Sequence, residues 1–428
     1  MLSLLVGAVL ATAPVVHPVL AKLDEVEAPL EALYQDLHRS PELSLQEEKT
    51  AGKLSERLRT LGFEVTTGVG GHGVVGVLRN GKGPTVLLRT DMDALPVREE
   101  TGLPWASTVT ANDTSGTTVP VMHACGHDAH MTSWIGAATL LSRAKSRWRG
   151  TLVLVGQPAE EVVRGAKAMI ADGLLTRFPR PDHALALHVT PLLPAGQVVV
   201  RDGPILAAQN GVEIVVHGRG GHGALPHLTV DPVLIASRVV VALQGIVARE
   251  NNPLDPAVIT VGTIHGGTKS NVIPDDVTLQ LTVRSYDDKV QARLLEAIER
   301  VAKGEAQASN APRAPTVKPL GNAVKPTIND ATVAGRVRAA LKRSLGDGAV
   351  AELPPVMASE DFSEFGYAGI PSVMIWIGAA RDAVAAKAGQ RGEAPGLHTS
   401  RFTPEVTPTL RTGMAAFTAA ALELLAKP

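Results

Sequence analysis

Apolar positions along this chain follow two periods, and the boundary between them divides the protein. Residues 23–38 and 47–61 show helical spacing, and so does the run from Met131 to Leu141. Between and after them lie short β-branched runs that stop at turn residues: Thr151 to Gln157, His183 to Val189 and Pro371 to Gly378. A hairpin is expected from Gly73 to Arg79 and Thr85 to Thr90, around the turn Asn80-Gly81-Lys82-Gly83. Strands alternating with helices predict an α/β fold, a mixed but mostly parallel sheet covered by helices. Near residue 206 the pattern changes. Gly211 to Gly218 alternates as a half-exposed strand, Asp231 to Arg249 carries a helical stripe, Val258 to Ile264 and Val277 to Arg284 read as strands, and Val290 to Val301 as a helix. This predicts a compact inserted α+β domain that ends in the Pro-rich stretch around Pro312 to Pro319.

Composition narrows the choice of function. A chain of 428 residues, 45% hydrophobic and 19% charged, has ample material for a large core. A net charge of -1 and 3% aromatic residues give no electrostatic or stacking case for nucleic acid, nor for a membrane surface. The first twenty or so residues are apolar and contain A-x-A-type sites at Ala11-Thr12-Ala13 and Val19-Leu20-Ala21. Pro14, His17 and Pro18 interrupt the stretch, so no stable membrane span is expected. A signal peptide over residues 1–22 and a periplasmic or secreted enzyme are the expectation, although the segment before the apolar run lacks Lys and Arg. An uncleaved apolar start on a cytoplasmic protein is the alternative.

The chemistry concentrates in His123-Ala124-Cys125-Gly126-His127-Asp128-Ala129-His130, which holds the only cysteine. A lone thiol excludes an internal disulfide. Thiolate and imidazole together suit zinc and its transition-metal neighbours. Glu160 and Glu161 follow a probable buried strand, where two ionised carboxylates would repel each other. A cation relieves the conflict: one carboxylate ligates and the other remains free as a general base. His188 sits near the carboxyl end of another buried run, where sites collect in open α/β sheets, and His398 follows a strand and a loop. Singly, each reads as a surface step or a satisfied core histidine. Four such elements together read as a metal site. Arg89 is open to two readings, one of them a buried ion pair with Asp91 or Asp93.

These motifs, with Arg89-Thr90-Asp91-Met92-Asp93-Ala94-Leu95-Pro96, Gln157-Pro158-Ala159-Glu160-Glu161, Ser359-Glu360-Asp361-Phe362 and His38-Arg39-Ser40-Pro41-Glu42-Leu43, resemble the N-acyl-amino-acid amidohydrolase family. That family includes hippurate and indole-acetyl-amino-acid hydrolases and is related to dinuclear aminoacylases and carboxypeptidases. The similarity runs in order from about residue 25 to the C-terminus; Ala129 is a mild departure. The resemblance implies two divalent metal ions per chain, Zn2+ or Mn2+, with Co2+ or Ni2+ as further candidates. Their ligands would be Cys125, His127, Glu161, His188 and His398, with Cys125 bridging and Glu160 the general base. Related enzymes carry a histidine ligand where Arg89 stands, so Cys125 would restore the coordination count and Asp91 would orient a ligand. The implied organisation is a catalytic domain split into residues 23–205 and 323–428, with a lid and dimerisation domain at 206–322. A homodimer would form through that lid, His222 would polarise the scissile carbonyl of the partner's site, and Asn271 and Arg284 would grip a free carboxylate. The implied activity is hydrolysis of N-acyl amino acids or short peptides with a free carboxyl terminus. Two rival functions remain open at this point: a metal-free thiol amidase using Cys125 with His127 or His123, and a catalytically silent binding protein of the same fold.

Overall fold

The computed structural model describes residues 17–381 and 396–427. Residues 1–16, most of the expected leader, lie outside the described residues. In chain order the principal strands are β1 (Glu64–Val69), β2 (Gly73–Asn80), β3 (Thr85–Asp91), β4 (Gly150–Gln157), β5 (His183–Pro194), β6 (Val198–Val199), β7 (Ala208–His217), β8 (Ala257–His265), β9 (Asp276–Ser285), β10 (Thr316–Val324) and β11 (Ser372–Ala380). The principal helices are α1 (Asp24–Arg39), α2 (Glu48–Thr60), α3 (His127–Arg143), α4 (Pro232–Gly245), α5 (Asp288–Ala308), α6 (Ala331–Leu345) and α7 (Val406–Leu424).

One seven-stranded sheet runs in the order β1-β2-β4-β3-β5-β11-β6. Strands β4, β3, β5 and β11 are parallel; β1, β2 and β6 pair antiparallel at the edges. The central strands are apolar on both faces, as parallel strands covered on both sides must be. Their pleat splits the core in two. Leu152 and Leu154 of β4 enter one hydrophobic cluster with α1, α2, α3 and α7, while Val153 and Val155 enter another on the opposite face. Val19, Leu20 and Leu23 also pack into the first cluster.

The expected hairpin between β2 and β3 does not form. Strand β4 lies between them, so that Leu154 is opposite Gly76 on one side and Leu88 on the other. Both strands are fully buried over most of their length and therefore need a neighbour at each edge, which a two-stranded hairpin does not supply. The hairpin partner of β2 is β1, through Gly70 and Gly71, both at positive φ (65° and 109°). A Cβ on Gly70 would lie 2.4 Å from the backbone nitrogen of Met169, so only glycine fits there.

A second sheet, in the order β8-β9-β7-β10, is antiparallel throughout and has its own core under α4 and α5. The Pro-rich stretch expected to close this unit is instead its edge strand β10, in which Pro319 pairs with Val212. An edge position tolerates a residue that cannot donate to the ladder. Pro232–Glu250, α4 with the turn that follows it, is the one described helix long and apolar enough to cross a membrane. Its inner stripe, Ile235, Val239 and Leu243, is buried in the second core, while Leu234 and Val241 are 60% and 74% exposed.

Helix α3 positions the chemistry. Every residue from His127 to Leu141 is buried, and the Trp134 indole donates to the Leu88 carbonyl of β3 at 2.9 Å. That bond and the ring's packing fix the helix against the sheet's centre. Trp134→Ala should destabilise the protein by about 3–5 kcal/mol in chemical denaturation. A loss below about 1 kcal/mol would mean that α3 is held in place by its other contacts.

Candidate metal centre

Five loops and strand ends meet above the carboxyl edge of the large sheet. Asp91 ends β3, Glu160 and Glu161 follow β4, and His188 lies in β5 beside Trp376 of β11. Cys125 and His127 come from the turn that enters α3, which Gly126 permits at φ 81°. A Cβ on Gly126 would come within 2.5 Å of Val189. His398 is delivered by its own backbone N–H, which bonds the Ala124 carbonyl at 2.8 Å, and it adopts φ 64° to do so.

All five expected ligands converge. The Cys125 sulfur lies 3.5 Å from His188 Nε2 and 3.2 Å from His398 Nε2. Glu161 lies 3.8 Å from His127 Nε2 and 3.5 Å from His398 Nε2. Their donor atoms form the clusters Cys125-His127-His188 and Cys125-Glu161-His398, with Cys125 in both, and Glu160 joins His127 and Glu161 in a third. The rings are aimed from behind. His127 donates through Nδ1 to the Asp93 carbonyl at 2.7 Å, and His188 through Nδ1 to the Val189 carbonyl at 2.7 Å, leaving each Nε2 toward the cluster.

The donor set fits divalent cations on two observations. First, His127 Nε2 and Glu161 Oε1 are buried with no hydrogen-bond partner among the described residues, a costly arrangement unless something binds them. Second, the protein leaves the site's negative charge uncompensated. Burial, then Glu360 and Glu161, push Glu160 well above the usual carboxylate range. Burial pushes Glu161 up to about 7 despite His127. Burial, then Glu161 and Glu160, also raise the Cys125 thiol well above its ordinary value. Cations are the natural counter-charge for such a set.

His130 and Asp91 look like ligands by proximity, yet the His130 ring is already satisfied. It donates from Nδ1 to Asp91 at 2.7 Å and accepts from the Val189 N–H at 2.9 Å through Nε2. Asp91 also takes the Arg89 guanidinium at 2.7 Å. Of the two ion pairs open to Arg89, Asp91 is therefore the one formed; Asp93 is not a partner. Arg89 further binds Glu360 at 2.7 Å, Asp361 at 3.2 Å and the Gln157 carbonyl at 3.0 Å, with no exposed surface.

The glutamate turn has its own support. Glu47 accepts from the backbone N–H groups of Leu45 and Ala159 at 2.9 and 2.8 Å, and Asp93 accepts from Glu161 N–H at 3.0 Å. Leu45 and Ala159 both sit at positive φ, which those bonds hold in place. Gly165 closes the turn so tightly that a Cβ there would lie 1.6 Å from the Pro158 carbonyl oxygen.

Beside the centre, a cavity of about 330 Å3 is lined by Cys125, Glu160, Glu161, His188 and His398 together with Arg284 and Gln209 of the second sheet. His222 and Asn271 are not part of it. They lie together on an exposed two-stranded loop of the second unit, where Gly223 N–H bonds the Asn271 carbonyl at 2.9 Å. Sequence reasoning missed Gln209, Glu47 and the His38-Asp128-Glu99 group. Only the last lay in quoted motifs, through His38 and Asp128.

Comparison with known proteins agrees with this geometry. Residues 87–423 match the peptidase family M20/M25/M40. The thermostable carboxypeptidase 1 of Saccharolobus solfataricus is 39% identical over 345 residues, covering 80% of this chain and 84% of that one. The hippurate hydrolase of Campylobacter jejuni is 37% identical over 344 residues, covering 80% and 86%. The crystal structure of the Bacillus subtilis YXEP protein, described as a dinuclear metal-binding peptidase of the M20 family, superposes with a TM-score of 0.75 at 28% identity, covering 94% of this chain and all of that one. Fold and donor set thus define a metal-dependent hydrolase of amide or peptide bonds. The chain belongs to peptidase family M20/M25/M40.

His38 ties α1 to the metal loop, donating to Asp128 at 2.6 Å and to Glu99 at 3.0 Å. Burial opposes its charge, but the hydrogen bonds to Asp128 and then Glu99 outweigh it and hold the imidazole's pKa up at about 10. A raised pKa makes the protonated ring stabilising. Its contribution is full below the ordinary histidine value of 6.5 and is lost as pH rises through about 10. The stability gap between wild type and His38→Gln, measured by denaturation, should therefore shrink as pH rises across that window. A gap that stays constant would show that the ring is neutral in the folded protein.

Proposed function

We propose that the protein cleaves the amide bond of N-acyl amino acids or short peptides that end in a free carboxylate. The observation that carries this reading is the cavity itself, which metal-type donors, Glu160 and Arg284 line together. A substrate whose amide meets the donors would offer its carboxylate to the guanidinium in the same cavity. The Arg284 Nη1 group donates to the Met357 carbonyl at 2.6 Å, which fixes the fork and leaves its other donors for the ligand.

Cys125, His127, Glu161, His188 and His398 would hold two divalent cations, which when bound supply Lewis-acid polarisation and acidify water. Glu160 removes the proton from the attacking water and returns it to the leaving nitrogen. Burial, then Glu360 and Glu161, raise its pKa well above the usual carboxylate range, so bound cations would have to restore the carboxylate before it could act as the base. Asp93, Glu47 and Gly165 keep the Glu160-Glu161 turn in register. A thiol-nucleophile mechanism finds no support here. The Cys125 sulfur neighbours His188 and His398, its pKa is raised, and a reactive cysteine requires the opposite shift.

The same reading assigns a homodimer. Leu234 and Val241 of α4 and Val258 and Ile264 of the edge strand β8 are exposed, an apolar face and an open strand edge that a second copy would cover. His222 and Asn271, exposed and outside their own cavity, would then serve the partner's site. Residues 206–322 form the inserted lid in this scheme, and export follows from the apolar leader. The packing of Val19 and Leu20 in the main core favours cleavage at Ala13 over cleavage at Ala21.

Glu160→Gln keeps size but cannot accept a proton, so turnover of acyl amino acids should fall at least about a hundredfold with metal content unchanged. Glu161→Gln should lose bound metal. If Glu160→Gln lost the metal and Glu161→Gln kept it, the roles of the pair would be reversed.

A further inference from the structure

We propose that Gln209 is a specificity-determining residue that donates to the substrate's carboxylate beside Arg284, and that Ser359 sets its orientation. This rests on the acyl-amino-acid reading of the cavity and extends it to a residue outside every motif in the sequence.

Gln209 and Arg284 are direct partners in the β7–β9 ladder. Partners in an antiparallel pair project to the same face with Cβ atoms about 4.5–5.5 Å apart. Both line the cavity that the metal-type donors line, and Ser359 lines it with them. The Ser359 hydroxyl donates to the Gln209 carbonyl oxygen at 2.9 Å. That contact engages the acceptor end of the amide and leaves the –NH2 end, which only donates, without a protein acceptor among the described residues. Arg284 is anchored to the same segment, through the Met357 carbonyl. One short stretch, Met357 to Ser359, thus orients two adjacent donors.

Charge makes the wall selective. Glu160, Glu161 and Glu360 supply the cavity's carboxylates, whereas Arg284 and the free end of the Gln209 amide present donors alone. A ligand carboxylate supplies acceptors to both. A carboxamide in the same place turns its own N–H2 toward donors and leaves one of them desolvated and unpaired. Discrimination between an acid and its amide is the kind that unpaired polar groups enforce strongly. The selectivity is therefore for an α-carboxylate, and Gln209 sharpens what Arg284 begins.

The test compares N-benzoyl amino acids with their carboxamides, following benzoate release, in the metal-loaded enzyme. Gln209→Glu retains the Ser359 contact and side-chain size but replaces the donor with an anion. It should lower kcat/KM for the acids at least about thirtyfold while leaving the carboxamides unchanged or improved. Ser359→Ala, which leaves Gln209 in place and frees its amide to turn, should raise KM for the acids about threefold to tenfold at constant kcat. Calorimetric binding of the free amino acid product should weaken in both variants. Equal losses on acids and carboxamides in Gln209→Glu, with Arg284→Ala still selective against acids, would overturn the role of Gln209 and leave the functional reading intact. A wild-type enzyme that fails to prefer acids over carboxamides would overturn both.

Discussion

Six buried or nearly buried carboxylates, Asp91, Asp93, Glu160, Glu161, Glu360 and Asp361, share one edge of the large sheet with a buried thiol, and Arg89 is the only arginine or lysine among the described residues that pairs with any of them. Buried charge is costly unless it is paired, and a partly paired set is worse than an apolar core. The guanidinium satisfies three carboxylates and the Gln157 amide, binding the ends of β3 and β4 to the loop before β11. Glu160, Glu161 and Cys125 have no such partner among the described residues, and burial raises the pKa of all three, away from their charged forms. Bound cations would restore those charges at the edge where the donor atoms converge.

From that constraint the other features follow. Helix α3 must be rigid because its first turn carries His127, and Trp134 fastens it to β3. The glutamate turn must be held in unusual backbone conformations, so Glu47 and Asp93 bond its N–H groups. His398 comes from far along the chain, and its backbone bond to Ala124 brings it to the thiol. The second sheet adds Arg284 and Gln209 to the cavity that the carboxylates, the thiol and the imidazoles line.

Much of this was legible in sequence. The expected ligands stand in compact motifs, and strand ends are visible as β-branched runs stopping at Pro or Gly, so Cys125, His127, Glu161, His188 and His398 could be named, and the fold brings their donor atoms together. What was not legible was pairing. The turn residues Asn80-Gly81 signalled a hairpin, but no local signal reveals that β4 slots between β2 and β3. Pro319 hid an edge strand for the same reason: edge position is a tertiary fact. Arg89 meets Glu360 across 271 residues and Gln209 meets Arg284 only through ladder register, so neither contact has a sequence signature. His130 shows the converse. Its motif suggested a ligand type, and only its two hydrogen bonds reveal that the ring is already used.

This edge would hold two cations on Cys125, His127, Glu161, His188 and His398. Elemental analysis of protein loaded with Zn2+ or Mn2+ and dialysed free of excess should find close to two ions per chain. Cys125→Ser should bind both more weakly, because an alcohol does not ionise as a thiol does. A fully active enzyme with metal content near zero would contradict it.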